Sequence, residues 1–279
     1  MNETLSLCLK ITNWCNLNCA HCCERSGLHE APNFIPIDKI EKYICEFKQI
    51  PMRTSNLMVI GGGEALSPYM HNNFNYIPRA LDLIYDQGYI PTLKTNATWG
   101  NSDNLRKRIL KDLAACAYRA EKLVTLDISV DEFHNNITPV AKVIYDTICS
   151  PELCFAIRIF LVGFNTKKSE IAKNTLKREL QTKGLLVKEM LSGDWAVAAP
   201  NSEYSVMIMN DFMTHIYNQG RAKDNKVYTT QSNPVGDNCE NCLQIDNNDT
   251  AILNYMYREQ IKNRSLSDVV IGLMRQKEY

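Results

Sequence analysis

The chain is organised around the stretch Cys15-Asn-Leu-Asn-Cys19-Ala-His-Cys22. Its three thiols fall within eight residues, in a C-x3-C-x2-C spacing. Thiolates this dense in one short loop can converge on a single soft metal centre. Three protein ligands are one fewer than the four that close a structural zinc site or a fully ligated four-iron cluster. The spacing therefore predicts a metal centre with one position left open.

An apolar run leads directly into this loop. From Leu5 to Thr12, leucines and Ile11 alternate with Ser6, Cys8, Lys10 and Thr12. A period of two predicts a β-strand with one aliphatic face and one polar face. The metal loop is therefore expected at the end of a first strand.

Strand-like and helix-like segments then alternate about six times along the chain. The further predicted strands are 57–60, 90–95, 123–130, 155–162 and 185–190, and the predicted helices are 37–49, 74–86, 103–116, 138–148, 169–183 and 247–279. Such alternation indicates parallel strands joined by helical crossovers, and six units are fewer than the eight of a closed barrel. We predict an α/β fold, a partial (β/α)6 TIM-like barrel over residues 1–225, with a short C-terminal helical extension over 226–279.

Composition excludes several classes of protein. The 31 acidic and 31 basic residues balance, so no bulk charge points to nucleic acid. No apolar run approaches the ~20 residues that span a bilayer. The 11 cysteines are odd in number and no secretory signal precedes them, which favours a reducing cytoplasm over a disulfide scaffold. We expect no nucleic-acid partner and no membrane partner.

The thiol triplet after a first strand resembles the signature of the radical S-adenosylmethionine (SAM) superfamily, and the resemblance covers roughly residues 5–225. It implies that Cys15, Cys19 and Cys22 each bind one iron of a [4Fe–4S] cluster, with SAM on the fourth iron. It also implies that His21 lies near the adenine of SAM. From the residues alone, a zinc site completed by Cys23 or His21 and a loop histidine with no special role stay open as alternatives.

A second motif, Gly61-Gly62-Gly63-Glu64, ends the second predicted strand. Glycines at a strand end allow the backbone to approach a ligand closely, and no Lys-Ser/Thr follows that would make a phosphate loop. Gly62, Gly63 and Glu64 resemble the Gly-Gly-Glu motif that binds the methionyl amino group of SAM in the superfamily. A carboxylate that faces an ammonium group is a strong charge-assisted contact.

Polar residues on later strands complete the set that the resemblance implies for SAM binding. They are Asn96, Ser129, Asp131, Arg158 and Gly163. Ser129 and Asp131 would contact the ribose or the methionyl part, Arg158 the carboxylate, and Gly163 the adenine. The alternative for the charged members is a set of structural ion pairs.

Two features near the C-terminus bear on the substrate. Gly220-Arg221-Ala222 resembles a tripeptide of the radical SAM enzymes that modify peptides and proteins, whose SPASM or twitch extensions hold auxiliary clusters. Cys239 and Cys242 form a C-x2-C pair soon afterwards, which is half of a metal site. A second metal there is one hypothesis, and a disulfide or the remnant of a lost site are the others.

The resemblance implies an enzyme that reductively cleaves SAM to a 5′-deoxyadenosyl radical, which then abstracts a substrate hydrogen atom. We expect a ribosomally synthesised peptide as substrate, modified by epimerisation or cross-linking, and an external flavodoxin-type or ferredoxin-type reductant. We expect no leader-recognition domain ahead of the first strand. A nucleoside, sugar or other small metabolite is the alternative substrate, and a non-catalytic zinc or iron–sulfur protein is the alternative class. No catalytic residue is assigned.

Overall fold

A computed structural model of the chain describes residues 4–202, 204–213, 220–226, 242–253, 257–261 and 264–277. The chain forms two compact units. The first comprises residues 1–93 and 217–279, and the second comprises residues 94–216. The thiol triplet and the Gly-Gly-Glu motif therefore belong to the first unit, and the later polar strand residues belong to the second.

The first unit opens with alternating strands and helices. They are β1 (Leu5–Thr12), α1 (Ile37–Lys48), β2 (Thr54–Gly62), α2 (Ser67–Met70), α3 (Tyr76–Asp86) and β3 (Ile90–Thr95), the last of which continues into the second unit. β1 pairs with β2, and β2 pairs with β3, both in parallel. The strands predicted at 5–12 and 90–95 are confirmed with the same bounds.

The core of this unit follows from the pattern of β1. Leu5, Leu7, Leu9 and Ile11 have no exposed surface, as the period of two predicts. The other face is buried too, because Lys10 and Thr12 are 5% and 0% exposed. A strand with a polar, buried face needs partners for its polar groups, and this face leads into the thiol loop.

The second unit continues the alternation. Its elements are a 3-10 helix (Thr98–Asn101), α4 (Asp103–Arg119), β4 (Val124–Ser129), α5 (Ile137–Cys149), α6 (Pro151–Cys154), β5 (Ile157–Phe164), α7 (Lys167–Thr182), β6 (Leu186–Glu189), β7 (Trp195–Ala198) and β8 (Val206–Met213). β4, β5 and β8 are neighbours in parallel, whereas β6, β7 and β8 form an antiparallel meander.

The strand predicted at 185–190 is present as β6, but the prediction that it is the sixth parallel strand was wrong, because that strand is β8. β6 occupies that segment, but it pairs antiparallel with β7 at the edge of the sheet. Leu186 is 63% exposed, whereas a strand inside a parallel sheet is covered on both faces. Because the meander lies between them in sequence, the parallel partner of β5 begins only at residue 206. Counting alternating strands and helices could not predict this partner.

The C-terminal segment returns to the first unit through α8 (Gly220–Asp224), β9 (Cys242–Asp246), β10 (Thr250–Leu253), β11 (Tyr257–Gln260) and α9 (Leu266–Lys277). α9 is a helix as expected of the extension, but the helix predicted from 247 onward was wrong. β9 pairs in parallel with β1, and Asp246 Oδ1 accepts the amides of Asn248 and Thr250, at 2.9 and 3.0 Å, in the turn to β10. Pairing with a distant strand thus overrides the local helical pattern.

The parallel strands with intervening helices confirm the α/β class, and they are consistent with a partial TIM-like barrel. Among the described helices, none combines the length and the apolarity that crossing a bilayer requires.

Candidate cofactor site

The thiol loop, residues 13–27, is closed at its base by backbone hydrogen bonds. The amide of Cys15 donates to the carbonyl of Gly27 over 3.4 Å, and the amide of Gly27 donates to the carbonyl of Asn13 over 3.3 Å. The ring of Trp14 stands edge-on to the ring of His71, with centroids 4.5 Å apart. The loop is therefore a defined turn at the carboxyl end of β1.

The three thiols differ in their surroundings. Cys15 is buried, Cys19 and Cys22 are half-buried, and the amide of Leu17 donates to Cys15 Sγ over 3.4 Å. Burial, followed by the charge of Glu64, raises the pKa of Cys15 to about 12. A bound cation reverses this tendency, because a thiol that coordinates a metal is deprotonated outright. Three thiols at one turn, one of them shielded from water, form a donor set that fits an iron–sulfur cluster.

The glycines of the second motif lie against this turn. The amide of Gly63 donates to the carbonyl of Thr12 over 2.7 Å, and the amide of Glu64 donates to the carbonyl of Trp14 over 2.9 Å. Gly62 has a φ of 104°, and a Cβ placed on it would fall 2.3 Å from the carbonyl oxygen of Thr12. Only glycine allows this close approach of β2 to the end of β1.

Glu64 is brought to the thiols as the sequence predicts. Its side chain is fully buried, and its Oε1 accepts the amide of Leu66 over 3.0 Å. Its charge, after burial, contributes to the raised pKa of Cys15. A buried carboxylate beside a metal centre suits an ammonium group as its ligand.

Two buried hydroxyl groups beside these motifs also suit a polar ligand. The Oγ atoms of Ser26 and Ser67 have no hydrogen-bond partner within the described ranges. Leaving a buried polar group without a partner costs about 1–3 kcal/mol. Neither serine belongs to a recognised motif, so the sequence offers no signal for them.

A buried ion pair joins β1 to the thiol loop. Lys10 Nζ donates to the carboxylate of Glu24, and the two side chains are 7% and 20% exposed. Burial alone would lower the pKa of Lys10, but the Glu24 carboxylate more than offsets this and raises it. The polar face of β1 pointed to Lys10, whereas nothing in the sequence singled out Glu24.

The tripeptide Gly220-Arg221-Ala222 lies in α8, which contacts the outside of the thiol loop. Arg221 Nε donates to the carbonyl of Cys19 over 2.9 Å, and its Nη2 donates to the carbonyl of Ser26. The Arg221 amide donates to the carbonyl of Cys22 over 2.9 Å. The sequence marked this tripeptide only as a resemblance, and its contact with the loop comes from the tertiary structure.

In the second unit, Asn136 joins the ends of two strands that carry predicted residues. Its Nδ2 donates to the carbonyl of Asn96 over 2.5 Å and to the carbonyl of Ser129 over 2.8 Å. Asn96 uses its own Oδ1 to accept the amide of Thr98 over 3.0 Å. The structure therefore brings Asn96 and Ser129 together, and sequence reasoning missed Asn136, which does this.

Asp131 orders the turn after β4. Its Oδ1 accepts the amide of Phe133 over 2.8 Å and lies 2.8 Å from Nδ1 of His134. The side chain of Asp131 is 2% exposed and that of His134 is 11% exposed. The predicted contact of Asp131 with SAM stays a prediction.

Arg158 and Gly163 occupy opposite ends of β5. Arg158 is in register with Thr125, whereas Ser129 is in register with Val162, next to Gly163. Four residues along a strand correspond to ~13 Å. The structure therefore places Gly163 at the level of Ser129, and it does not bring Arg158 there.

The remaining predicted positions are His21 and the cysteine pair near the C-terminus. His21 lies half-buried in the thiol loop, between the second and third cysteines. Cys242 begins β9, is 8% exposed, and is in register with Ser6 of β1. Cys239 lies outside the described residues, so the second metal site stays a hypothesis. The ten cysteines in the described ranges are thiols.

The thiol triplet and the adjoining buried Glu64 fit the class of protein that binds an iron–sulfur cluster together with a charged organic cofactor. The sequence profile of the Radical SAM superfamily matches residues 9–151, which is more than half of the chain. The chain therefore belongs to the radical SAM superfamily. Membership implies a [4Fe–4S] cluster and SAM. No curated protein matches the sequence.

Several solved structures are similar in fold. "Crystal structure of Streptococcus suis SuiB bound to S-adenosylmethionine" has a TM-score of 0.45 and 12% identity, over 96% of this chain and 66% of that chain. "Native anSMEcpe with bound AdoMet" has a TM-score of 0.41 and 16% identity, over 64% of this chain and 49% of that chain. The anSMEcpe structure with bound AdoMet and Cp18Cys peptide has a TM-score of 0.40. The chain thus spans about two thirds of SuiB and about half of anSMEcpe.

Proposed function

We propose that this radical SAM enzyme modifies a ribosomally synthesised peptide, by epimerisation or by forming a cross-link. The observation that supports this is the position of Gly220-Arg221-Ala222. The tripeptide resembles one found in peptide-modifying and protein-modifying members of the superfamily, and here it contacts the thiol loop directly. This contact supports a role for the tripeptide in the cofactor site.

The residues of the first unit have distinct roles in this proposal. Cys15, Cys19 and Cys22 would bind three irons of the cluster, and Glu64 would accept hydrogen bonds from the ammonium group of SAM. When bound, the cluster and SAM together supply the 5′-deoxyadenosyl radical that removes a hydrogen atom from an unactivated carbon. The protein orients these groups and keeps water out, and the burial of Glu64 and Cys15 supports that exclusion.

The residues of the second unit, with His21, are proposed to hold the rest of SAM. Ser129 and Asp131 would contact the ribose or methionyl part, and Asn96 would lie near them. Gly163 and His21 would adjoin the adenine. Arg158 is proposed to pair with the carboxylate, although its register on β5 gives that role no support.

The first experiment tests the cleavage reaction. The full chain is reconstituted anaerobically with iron and sulfide, and is then given dithionite and SAM. We expect about four irons per chain and formation of 5′-deoxyadenosine. Single Cys→Ala changes at 15, 19 or 22 should abolish both, whereas Cys23→Ser, at the adjacent thiol, should keep both. An intact cluster in the unaltered chain without 5′-deoxyadenosine would contradict the proposal.

The second experiment tests the substrate. A short peptide encoded beside the gene is incubated with the reconstituted enzyme in D2O and analysed by mass spectrometry. Epimerisation exchanges a carbon-bound hydrogen and adds one deuterium, whereas a cross-link removes two hydrogens. Neighbouring genes for sugar or nucleotide metabolism, together with a mass change in such a metabolite, would favour the alternative substrate.

The partners follow from the chemistry. We propose that a flavodoxin-type or ferredoxin-type protein donates the single electron. The proposed location is the reducing cytoplasm, where thiols such as Cys19 and Cys22 persist. Replacing dithionite by a reduced flavodoxin should sustain formation of 5′-deoxyadenosine.

A further inference from the structure

The thiol loop contains little regular structure of its own to hold its shape. Between the end of β1 and the start of α1 the chain has no helix and no strand. Within the turn of the three thiols, the amide of Cys22 donates to the carbonyl of Cys19 over 3.2 Å, and the amide of Arg25 donates to the carbonyl of Cys22 over 3.4 Å. The second of these bonds is longer than a typical N–H···O bond, and a segment without regular structure gains stability from contacts outside it.

For the part of the loop that carries Cys19 and Cys22, such support comes from α8 and the residue that follows it. Arg221 donates through Nε to the carbonyl of Cys19, through Nη2 to the carbonyl of Ser26, and through its amide to the carbonyl of Cys22. Asn225 Nδ2 donates to the carbonyl of Ala20 over 3.0 Å. Four carbonyl groups of one turn thus accept hydrogen bonds from one short segment, and two of them belong to predicted iron ligands.

The guanidinium group suits this task in two ways. Its planar fork donates to two carbonyl oxygens that are seven residues apart in sequence, so it fixes the distance between them. It also carries a permanent positive charge, which strengthens each bond. Lysine would keep the charge but would lose the fork.

We propose that Arg221 is a positioning residue for the cluster: it holds the thiol loop in the conformation that binds iron and donates no ligand itself. The inference rests on the proposed cluster at Cys15, Cys19 and Cys22. It makes the C-terminal segment, rather than the loop alone, responsible for retaining the cluster. It also places a positive charge beside the cluster, and such a charge stabilises the reduced state.

The test compares the reconstituted full chain with Arg221→Gln and Arg221→Lys, and with Asp224→Asn as the control on the same helix. Among the described residues, Asp224 forms an exposed ion pair with Arg25 of the thiol loop, and an exposed pair contributes at most about 1 kcal/mol, so its loss should have little effect. We expect Arg221→Gln to lose iron to a chelator about tenfold to a hundredfold faster than the unaltered chain, with Arg221→Lys between them. The midpoint potential should fall in Arg221→Gln and stay near its original value in Arg221→Lys.

The outcomes separate the two proposals. An unaltered chain that binds no iron contradicts the proposed function. An unaltered chain with about four irons, and an Arg221→Gln variant that releases iron at the same rate, overturns the positioning role alone. Hydrogen exchange on the chains without iron checks the fold: the amides of Cys22 and Arg25 should exchange faster in Arg221→Gln while those of β1 do not change. Faster exchange throughout β1 and β2 overturns a local role.

Discussion

The carbonyl oxygen of Trp14 lies where a side chain on Gly63 would begin, because a Cβ placed on Gly63 would fall 1.9 Å from it. This contact joins the two motifs of the first unit: Trp14 precedes the first thiol, and Gly63 precedes Glu64. The amide of Glu64 donates to the same carbonyl over 2.9 Å. The position of the carboxylate relative to Cys15 therefore depends on a backbone contact that only glycine permits.

Gly63→Ala should therefore damage the cofactor site. The added methyl group meets backbone atoms, which cannot move away as the end of a flexible side chain can. We expect a loss of about 1–3 kcal/mol in the free energy of unfolding, measured by urea, and less iron after reconstitution. Gly272→Ala in α9 is the control, since its Cβ would meet only side chains, at 3.2 Å or more. A Gly63→Ala chain with unchanged stability and iron content would falsify the contact.

Glu64→Gln should separate SAM binding from cluster binding. Glutamine can still accept the hydrogen bond from the amide of Leu66, so the local fold is preserved. It removes the charge that the ammonium group of SAM would face, and a hydrogen bond to a charged group contributes about 1.5–3 kcal/mol. We expect SAM affinity, measured by calorimetry, to fall about tenfold to a hundredfold while iron content stays the same. Glu41→Gln, on the exposed side of α1, should change neither, and unchanged SAM affinity in Glu64→Gln would contradict its role.

The Lys10–Glu24 pair should show strong coupling. Removing one partner leaves the other charge largely buried and unpaired, whereas removing both does not. In a cycle of Lys10→Met, Glu24→Gln and the double variant, we expect a coupling of about 2 kcal/mol in the free energy of unfolding. The exposed pair Arg25–Asp224 provides a matched cycle whose coupling should not exceed about 1 kcal/mol. Equal coupling in the two cycles would show that burial of the first pair has no energetic effect.

Asp249 should contribute to stability in a pH-dependent manner. It lies in the turn between β9 and β10, where it pairs with Lys39 and accepts the hydroxyl of Tyr43 over 2.7 Å. Partial burial alone would raise its pKa, but these hydrogen bonds more than offset it and lower the pKa. A carboxyl group whose pKa is lowered in the folded state stabilises the fold at pH values above the pKa that the same group has in the unfolded chain, about 3.9.

The stabilising effect of Asp249 should therefore be complete above about pH 5 and fade as the pH falls toward the lowered pKa. Asp249→Asn should unfold at a lower urea concentration than the unaltered chain at pH 7, and the difference should shrink between pH 5 and the lowest pH at which the chain folds. Asp86→Asn, on the exposed side of α3, is the control. A difference that stays constant with pH would assign the effect to packing instead of charge.

The parts of the candidate site that depend on residues close together in sequence could be predicted from the sequence. The spacing of Cys15, Cys19 and Cys22 is a local property, and so is the run from Gly62 to Glu64 at a strand end. The alternation of β1 placed Lys10 on a polar face for the same reason. The later strand residues were predicted by resemblance, and the register of β5 brings Gly163, but not Arg158, to the level of Ser129.

The tertiary structure decided which strands become neighbours and which residues support the thiol loop. β8 rather than β6 became the parallel partner of β5, and β9 became a strand because it pairs with β1. Arg221 and Cys19 are 202 residues apart in sequence, yet one donates a hydrogen bond to the other. The sequence by itself was enough to predict the three thiol ligands, because their spacing is a local property. Only the fold determined what holds them in place, because hydrogen-bond donors for an irregular loop can come from any part of the chain that packs against it.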